Sequence, residues 1–312
     1  MDSMQNYTDF KVSKSIRSLK YISFAEFMEM PIKLEEGRHI LEIGFGNGEM
    51  LTRMARSRRS DHFWGIENSE ISCIKAAKRA VDFDLRNLKI FHGDAKFLLP
   101  ELFEDHSLDL ILSFYPLPWP KHSQEGKRLF SKPFFKNVLG LLKEDGKLVI
   151  VTDDKDYFEW ISQNLKELGV TFFQRQIKPL RTTKYGRKWK ELGRSSWSLV
   201  IKSMKFNTER MVDGKMPHVH LKKIDLSKLE KISNEKFSED GMVIQFRGLF
   251  KGNNEYLLKA VAVDQEFVQT YYIIIKSAQD EWLARLDEGI RVFKTPAIKK
   301  SIDIVGRYIA GD

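Results

Sequence analysis

The chain has 312 residues, of which 42% are hydrophobic and 30% charged, a balance that supports one large α/β domain and a smaller second one. Its 52 basic against 43 acidic side chains leave a formal charge of +9, which favours a polyanionic partner such as nucleic acid. The single cysteine, Cys73, excludes an internal disulfide and a cysteine-rich zinc site, and no apolar run approaches a membrane span. With a polar N-terminus lacking an apolar signal core, the expected compartment is the cytoplasm.

Residues 1–30 read as a basic N-terminal arm. From His39 onward, strand-like and helix-like segments alternate: "HILEIG" and "HFWGIE" as strands, each followed by a helical run, then "LKIFHGD", "LDLILSFY" and "KLVIVTDD" as three more strands. The run "PFFKNVLGLLKEDGK" predicts a helix stopped near Gly146, and "YFEWISQNLKELG" another stopped at Gly169. "VTFFQRQ" and "WSLVIKSM" close the sheet. Strands alternating with helices of this length predict a doubly wound, Rossmann-like α/β sheet over 31–204, whose ligands sit at the carboxyl ends of the strands. Beyond Met204 the pattern changes to successive antiparallel strands with a turn at Gly252, Asn253 and Asn254, and an amphipathic, helix-containing region over 281–309. A smaller α+β domain is therefore expected at 205–312.

"EIGFGNGEM" places Gly44, Gly46 and Gly48 between a strand and a helix, where a ligand can approach the backbone and meet a helix N-terminus. A dinucleotide fingerprint requires its third glycine where Glu49 stands, and a carboxylate there repels a pyrophosphate. The spacing suits a ligand without phosphates, and S-adenosylmethionine qualifies, with Glu42 available to its ammonium group. Glu67 ends the second strand in position for the ribose hydroxyls. Asp94 ends the third, in reach of an adenine amino group. Three acids at three successive strand ends beside a glycine loop weigh against ordinary solvated carboxylates.

The stretch "FYPLPWPKHSQEGKRLF" follows the fourth strand with three prolines, Tyr115, Trp119 and Lys121. Either its rings stack on a base and its prolines stiffen a pocket wall, or the segment packs over the sheet end. Between residues 175 and 194 stand eight basic side chains against the single acid Glu191, with Tyr185 and Trp189 interleaved, the footprint of a segment that tracks phosphates and presents rings to bases. His92, His122, His218 and His220 lack supporting ligands at metal-binding spacing, so no metal is expected. Cys73, beside Ile74 and Ala77 in a helical pattern, reads as a packed core residue.

"EIGFGNGEML", "GIE", "HGDA", "YPLPWPKHSQEGKRLF", "VTDD" and "TTKYGRKWKELG" occur in the order and spacing of the bacterial tRNA (guanine-N7-)-methyltransferases, a class I methyltransferase family that the chain resembles over residues 38–204. The resemblance implies transfer of a methyl group from S-adenosylmethionine to N7 of a guanine in the tRNA variable loop. It implies cofactor contacts from Glu42, Glu67 and Asp94, which Gly44, Gly46, Gly48, Asn68 and Ala95 join as their neighbours in the same motifs. Substrate contacts are implied for Lys121, Asp153 and the segment from Thr183 through Lys184, Tyr185 and Arg187, and the loop's own chemistry adds Trp119 as a candidate stacking ring. The family's loop carries Asp where this chain has Leu117, and Glu follows its Thr-Lys-aromatic triplet where this chain has Gly186. Either another acid substitutes, with Asp153 and Asp154 the nearest candidates and Asp153 the one expected to bond the guanine edge, or the base is held differently. Two other readings stay open from sequence, a methyltransferase of another RNA and a non-catalytic RNA-binding homologue.

Overall fold

The computed structural model describes residues 18–23, 30–180, 184–193, 195–212, 215–278 and 281–310. The chain divides into two compact units, 1–209 and 210–312.

The first unit is built on an eight-stranded sheet: β1 (Ile22–Ser23), β2 (His39–Ile43), β3 (His62–Glu67), β4 (Leu88–His92), β5 (Leu108–Phe114), β6 (Leu142–Thr152), β7 (Phe172–Ile177) and β8 (Ser196–Lys202). Their order is β1-β4-β3-β2-β5-β6-β8-β7, parallel except where β8 runs antiparallel to β6 and β7. The chain reverses direction across the sheet beside β2, so the crevice of a doubly wound fold lies at the carboxyl ends of β2 and β5. Among the described residues five helices belong to this sheet: α1 (Glu49–Ser57), α2 (Glu70–Asp82), α3 (Ala95–Leu102), α4 (Lys132–Gly140) and α5 (Lys155–Glu167), with a sixth, α6 (Lys184–Glu191), in the basic segment. All five residues of β2 are buried, as a strand covered on both faces requires, and Glu42 is the charged member of that run.

The N-terminal arm is not wholly apart from the fold. Ile22 and Ser23 add a parallel edge strand to Ile90 and Phe91, and Tyr21 is buried against the same core. The helix expected to run to Gly146 instead ends at Gly140, and β6 begins at Leu142. Periodicity missed this because Leu139, Leu141 and Leu142 are all fully buried, so the apolar run continues through the change of element. A Cβ at Gly140 would lie 2.7 Å from the Phe206 carbonyl oxygen, so glycine lets the returning chain cross there. That return is fixed by Thr208, whose hydroxyl donates to Asp105 at 2.5 Å, and by the Glu209 amide donating to Asn137 at 3.0 Å. Residues 205–209 thus run along the first unit.

The second unit contains a six-stranded antiparallel sheet ordered β10-β11-β12-β13-β14-β9, from β9 (Val219–Leu221), β10 (Lys236–Glu239), β11 (Met242–Lys251), β12 (Glu255–Asp264), β13 (Phe267–Ala278) and β14 (Glu281–Leu286). The region 281–309 divides into β14 and α8 (Pro296–Ile309), which packs with α7 (Leu226–Ile232) on a core including Phe246, Tyr271 and Ile302. The hairpin at residues 252–254 pairs Lys251 with Tyr256, and Asn254 takes the left-handed φ of 59° that such turns use.

Candidate cofactor and target-base site

The glycine loop leaves β2 and enters α1 through three left-handed residues, Gly44, Gly46 and Gly48, with φ of 70°, 54° and 71°. A Cβ at Gly44 or Gly46 would meet nothing within 4 Å, so backbone conformation demands glycine there and open space lies beside the loop. Gly48 differs. A Cβ there would stand 2.4 Å from the Ala76 Cβ, so the residue also lets α1 pack directly on α2.

Glu67, at the end of β3, binds this loop to its neighbour. One carboxylate oxygen accepts the Gly46 amide at 2.9 Å and the other the Ser69 amide at 3.0 Å. Each oxygen keeps a further lone pair for a ligand hydroxyl. Asn68 is exposed, and its carbonyl meets the His92 ring at 3.2 Å. Asp94 caps α3 by accepting the Lys96 amide at 2.9 Å, and Ala95 beside it is buried. Ser69 and Asp94 are both caps, so the sequence places polar residues at the ends of β3 and β4 for helix initiation as well as for any ligand.

Glu42 is 2% exposed, and its Oε2 has no hydrogen-bond partner. Burial, and secondarily the nearby Glu67 carboxylate, pushes its carboxyl up to about 8. An orphaned buried carboxyl beneath an open glycine loop is what a cationic ligand group would satisfy, so the residues fit an ammonium-bearing cofactor.

The proline loop beyond β5 is anchored at several points. The Tyr115 amide donates to the Val151 carbonyl at 2.6 Å, and its hydroxyl meets Ser196 Oγ at 3.2 Å while accepting the Leu180 amide at 2.9 Å. Tyr115 is therefore a strut to β8 and the segment before α6, which leaves Trp119 as the ring available for stacking. Trp119 is half-buried, with Lys127 5.1 Å from its ring centroid. Arg128 donates to the Pro118 carbonyl at 3.0 Å and lies over the rings of Trp160 and Tyr157. Both Tyr115 and Trp119 hold positive φ, 56° and 45°, a strained conformation kept by these contacts. Leu117 is 65% exposed at the loop apex, and Lys121 is exposed beyond it. The Glu125 carboxylate, which the Trp160 indole donates to at 2.7 Å, is held below the usual carboxylate range by that bond first and then by Arg128 and His122.

Asp153 is half-buried just past β6, while its neighbour Asp154 caps α5 by accepting the Tyr157 amide at 2.8 Å. Of the two acids named by sequence spacing, Asp154 is thus committed to helix initiation. Thr183 and the side chains of Lys184 and Tyr185 lie outside the described residues. Arg187 does not point freely at solvent: it pairs with Glu49 at 2.6 Å, which raises the guanidinium further above its ordinary value, and Arg79 reaches the same carboxylate at 3.4 Å. Gly186 is buried within α6. Sequence reading overlooked Arg53 and Arg56, whose signal was the run "TRMARSRRS" that begins on α1, and Arg79, which stands near the end of α2. Among the described residues no group of three or more metal-ligating side chains occurs, and His220 pairs with Glu281 at 3.1 Å. No helix among them is long and apolar enough to cross a membrane.

A doubly wound sheet with acids closing its central strands around a glycine loop that lacks the dinucleotide spacing has the make-up of a class I, S-adenosylmethionine-dependent methyltransferase. Comparison with known proteins narrows the class. Residues 36–199 match the sequence profile of a family described as "Putative methyltransferase". The tRNA (guanine-N(7)-)-methyltransferase of Thermotoga maritima is 31% identical over 84% of this chain and 86% of its own length. The enzyme of that name from Thermus thermophilus is 35% identical over 51% of this chain and 52% of its own, and that from Aquifex aeolicus 24% over 86% and 93%. The chain belongs to the tRNA (guanine-N7-)-methyltransferase family.

Proposed function

We propose that the protein transfers a methyl group to N7 of a guanine in the tRNA variable loop, forming 7-methylguanosine. The observation that carries this reading is the match to the Thermotoga relative. At 84% of the chain it exceeds the 209 residues of the first unit and so takes in part of the second.

S-adenosylmethionine, when bound, supplies an electrophilic methyl on a sulfonium sulfur. Glu42 satisfies the cofactor's ammonium group, Glu67 its ribose hydroxyls, and the free oxygen of Asp94 its adenine amino group. Guanine N7 carries an in-plane lone pair and no proton, so attack requires no general base. What the protein contributes is alignment, which is worth several kcal/mol when a bimolecular step becomes intramolecular. The Tyr115 strut and the Arg128 bond hold the proline loop as one wall of the base pocket, with Trp119 as its stacking ring. Asp153 accepts from the guanine N1–H and amino edge and offsets positive charge developing on the ring. Lys121 and the segment from Thr183 through Lys184, Tyr185 and Arg187 hold the RNA backbone.

Leu117 and Gly186, which replace carboxylates of the family, favour a second reading as an RNA-binding homologue without transfer. Incubation of purified protein with labelled S-adenosylmethionine and unmodified tRNA separates the two. Label at a variable-loop guanine, mapped by strand cleavage at 7-methylguanosine, supports the enzyme. Bound tRNA without label refutes it.

A further inference from the structure

A groove of about 420 Å³ runs between α1 and α2 on the outer layer of the first unit. Four guanidinium groups line it, from Arg53, Arg56, Arg79 and Arg187, against the single carboxylate of Glu49. Four like charges sharing one groove repel each other, and one acid compensates only part of that repulsion. An arrangement of this kind suits a polyanion.

Its parts are already ordered. Glu49 takes Arg187 at 2.6 Å and Arg79 at 3.4 Å, which fixes the two guanidiniums at the head of the groove. Arg56 lies 4.9 Å from the Phe83 ring centroid, held by a cation–π contact. Arg53 and Arg56 are one turn apart on the exposed face of α1, and among the described residues neither pairs with an acid. Arginine, with its planar fork of donors, recognises phosphate oxygens in pairs where lysine acts as a point charge. From Glu49 to Arg56 the helix rises about 10 Å, a track along a backbone rather than a closed pocket.

Position ties the groove to the reaction. Glu49 is the residue immediately after the glycine loop, and Arg187 comes from the basic helix α6. We infer that this groove is a phosphate-binding site that docks the tRNA backbone outside the target-base pocket, with Arg53 and Arg56 as its principal contacts. The inference rests on tRNA being the substrate. It adds a second point of attachment, so that the RNA is held both at the guanine and across α1.

The test compares equilibrium tRNA binding by the full chain, its Arg53→Gln/Arg56→Gln variant and its Arg53→Lys/Arg56→Lys variant over a range of salt concentrations, with S-adenosylmethionine affinity measured alongside. The glutamine pair should raise the tRNA Kd by roughly tenfold or more and flatten the slope of log K against log salt by about 1 to 2. Cofactor affinity should stay within about twofold, and the lysine pair should recover part of the binding. A tRNA Kd within about twofold of the parent, with an unchanged salt slope, overturns the inference. So does a loss of tRNA binding accompanied by loss of cofactor binding that the lysine pair fails to restore, which assigns the arginines to folding. Absence of 7-methylguanosine in the parent's product sinks the functional reading instead, and the Kd comparison still decides the groove.

Discussion

Glu42→Gln isolates the cost of holding a carboxyl inside the sheet. The group is 2% exposed with an orphaned oxygen, and burial raises it from an ordinary 4.5 to about 8. In the unfolded chain the proton leaves near 4.5; in the folded chain it stays to about 8. Between those values the native state binds more protons than the unfolded one, so stability falls as pH rises. The favourable contribution is complete below 4.5, declines at about 1.4 kcal/mol per pH unit, and is gone above about 8. The interval sets a ceiling of about 5 kcal/mol on the total loss. Urea unfolding of ligand-free parent and variant at matched pH values measures it, because titrating groups not coupled to Glu42 cancel in the difference. The stability of Glu42→Gln relative to the parent should climb with pH and level off above about 8. The burial of an amide in the variant moves that difference by a constant and leaves its slope alone. Saturating S-adenosylmethionine should abolish the slope, and calorimetry in buffers of different ionisation enthalpy should register release of most of a proton per cofactor bound at neutral pH. A difference that is flat with pH refutes the argument, since it means that Glu42 ionises in the folded chain as it does in water.

Other predictions concern the loop supports and the base pocket. Gly48→Ala forces a left-handed alanine against Ala76 and should cost about 2–4 kcal/mol in denaturant unfolding. Tyr115→Phe leaves the Leu180 amide without its hydroxyl partner and should cost about 1–2 kcal/mol while raising KM for tRNA. Asp153→Ala should lower kcat on tRNA by about tenfold or more with cofactor affinity kept, and turnover within about a factor of two would remove Asp153 from the pocket. Leu117→Asp, which restores the family's loop carboxylate, should leave single-turnover rates within about threefold; a rise beyond about tenfold would show that the chemistry lacks an acid which Asp153 does not supply.

The order of strands and helices was legible because the central strands β2, β3 and β5 are short and mostly apolar, and each turn after β2, β3 and β4 carries glycine or a capping side chain. Glu67 and Asp94 stood out for the same reason, since an acid closing a buried strand is conspicuous in one dimension. Their double duty was not legible: that Glu67 accepts the amides of Gly46 and Ser69 depends on loops brought together by folding. The end of α4 at Gly140 was hidden by an apolar run that buries on both sides of the break, where neither the helical nor the strand period shows. The arginine groove was invisible for a further reason. Arg53, Arg56, Arg79 and Arg187 come from three helices, and although α6 and α1 each carry a local excess of basic charge, nothing in one dimension says that they meet across Glu49.

The exchange of a loop acid for Leu117 becomes intelligible once the loop's supports are counted. A flexible loop needs a strong polar contact to the base in order to place it, because the contact must also organise the loop. Here the Tyr115 amide, the Tyr115 hydroxyl and the Pro118 carbonyl are each bonded to a different part of the first unit, and two residues hold left-handed backbone. That organisation exists before any RNA arrives, so the apex residue is released from the task of building the wall. An exposed leucine can then contribute apolar contact to a nucleoside. N7 has no proton to surrender, and a reaction that depends on alignment tolerates the loss of one carboxylate better than the loss of a strut.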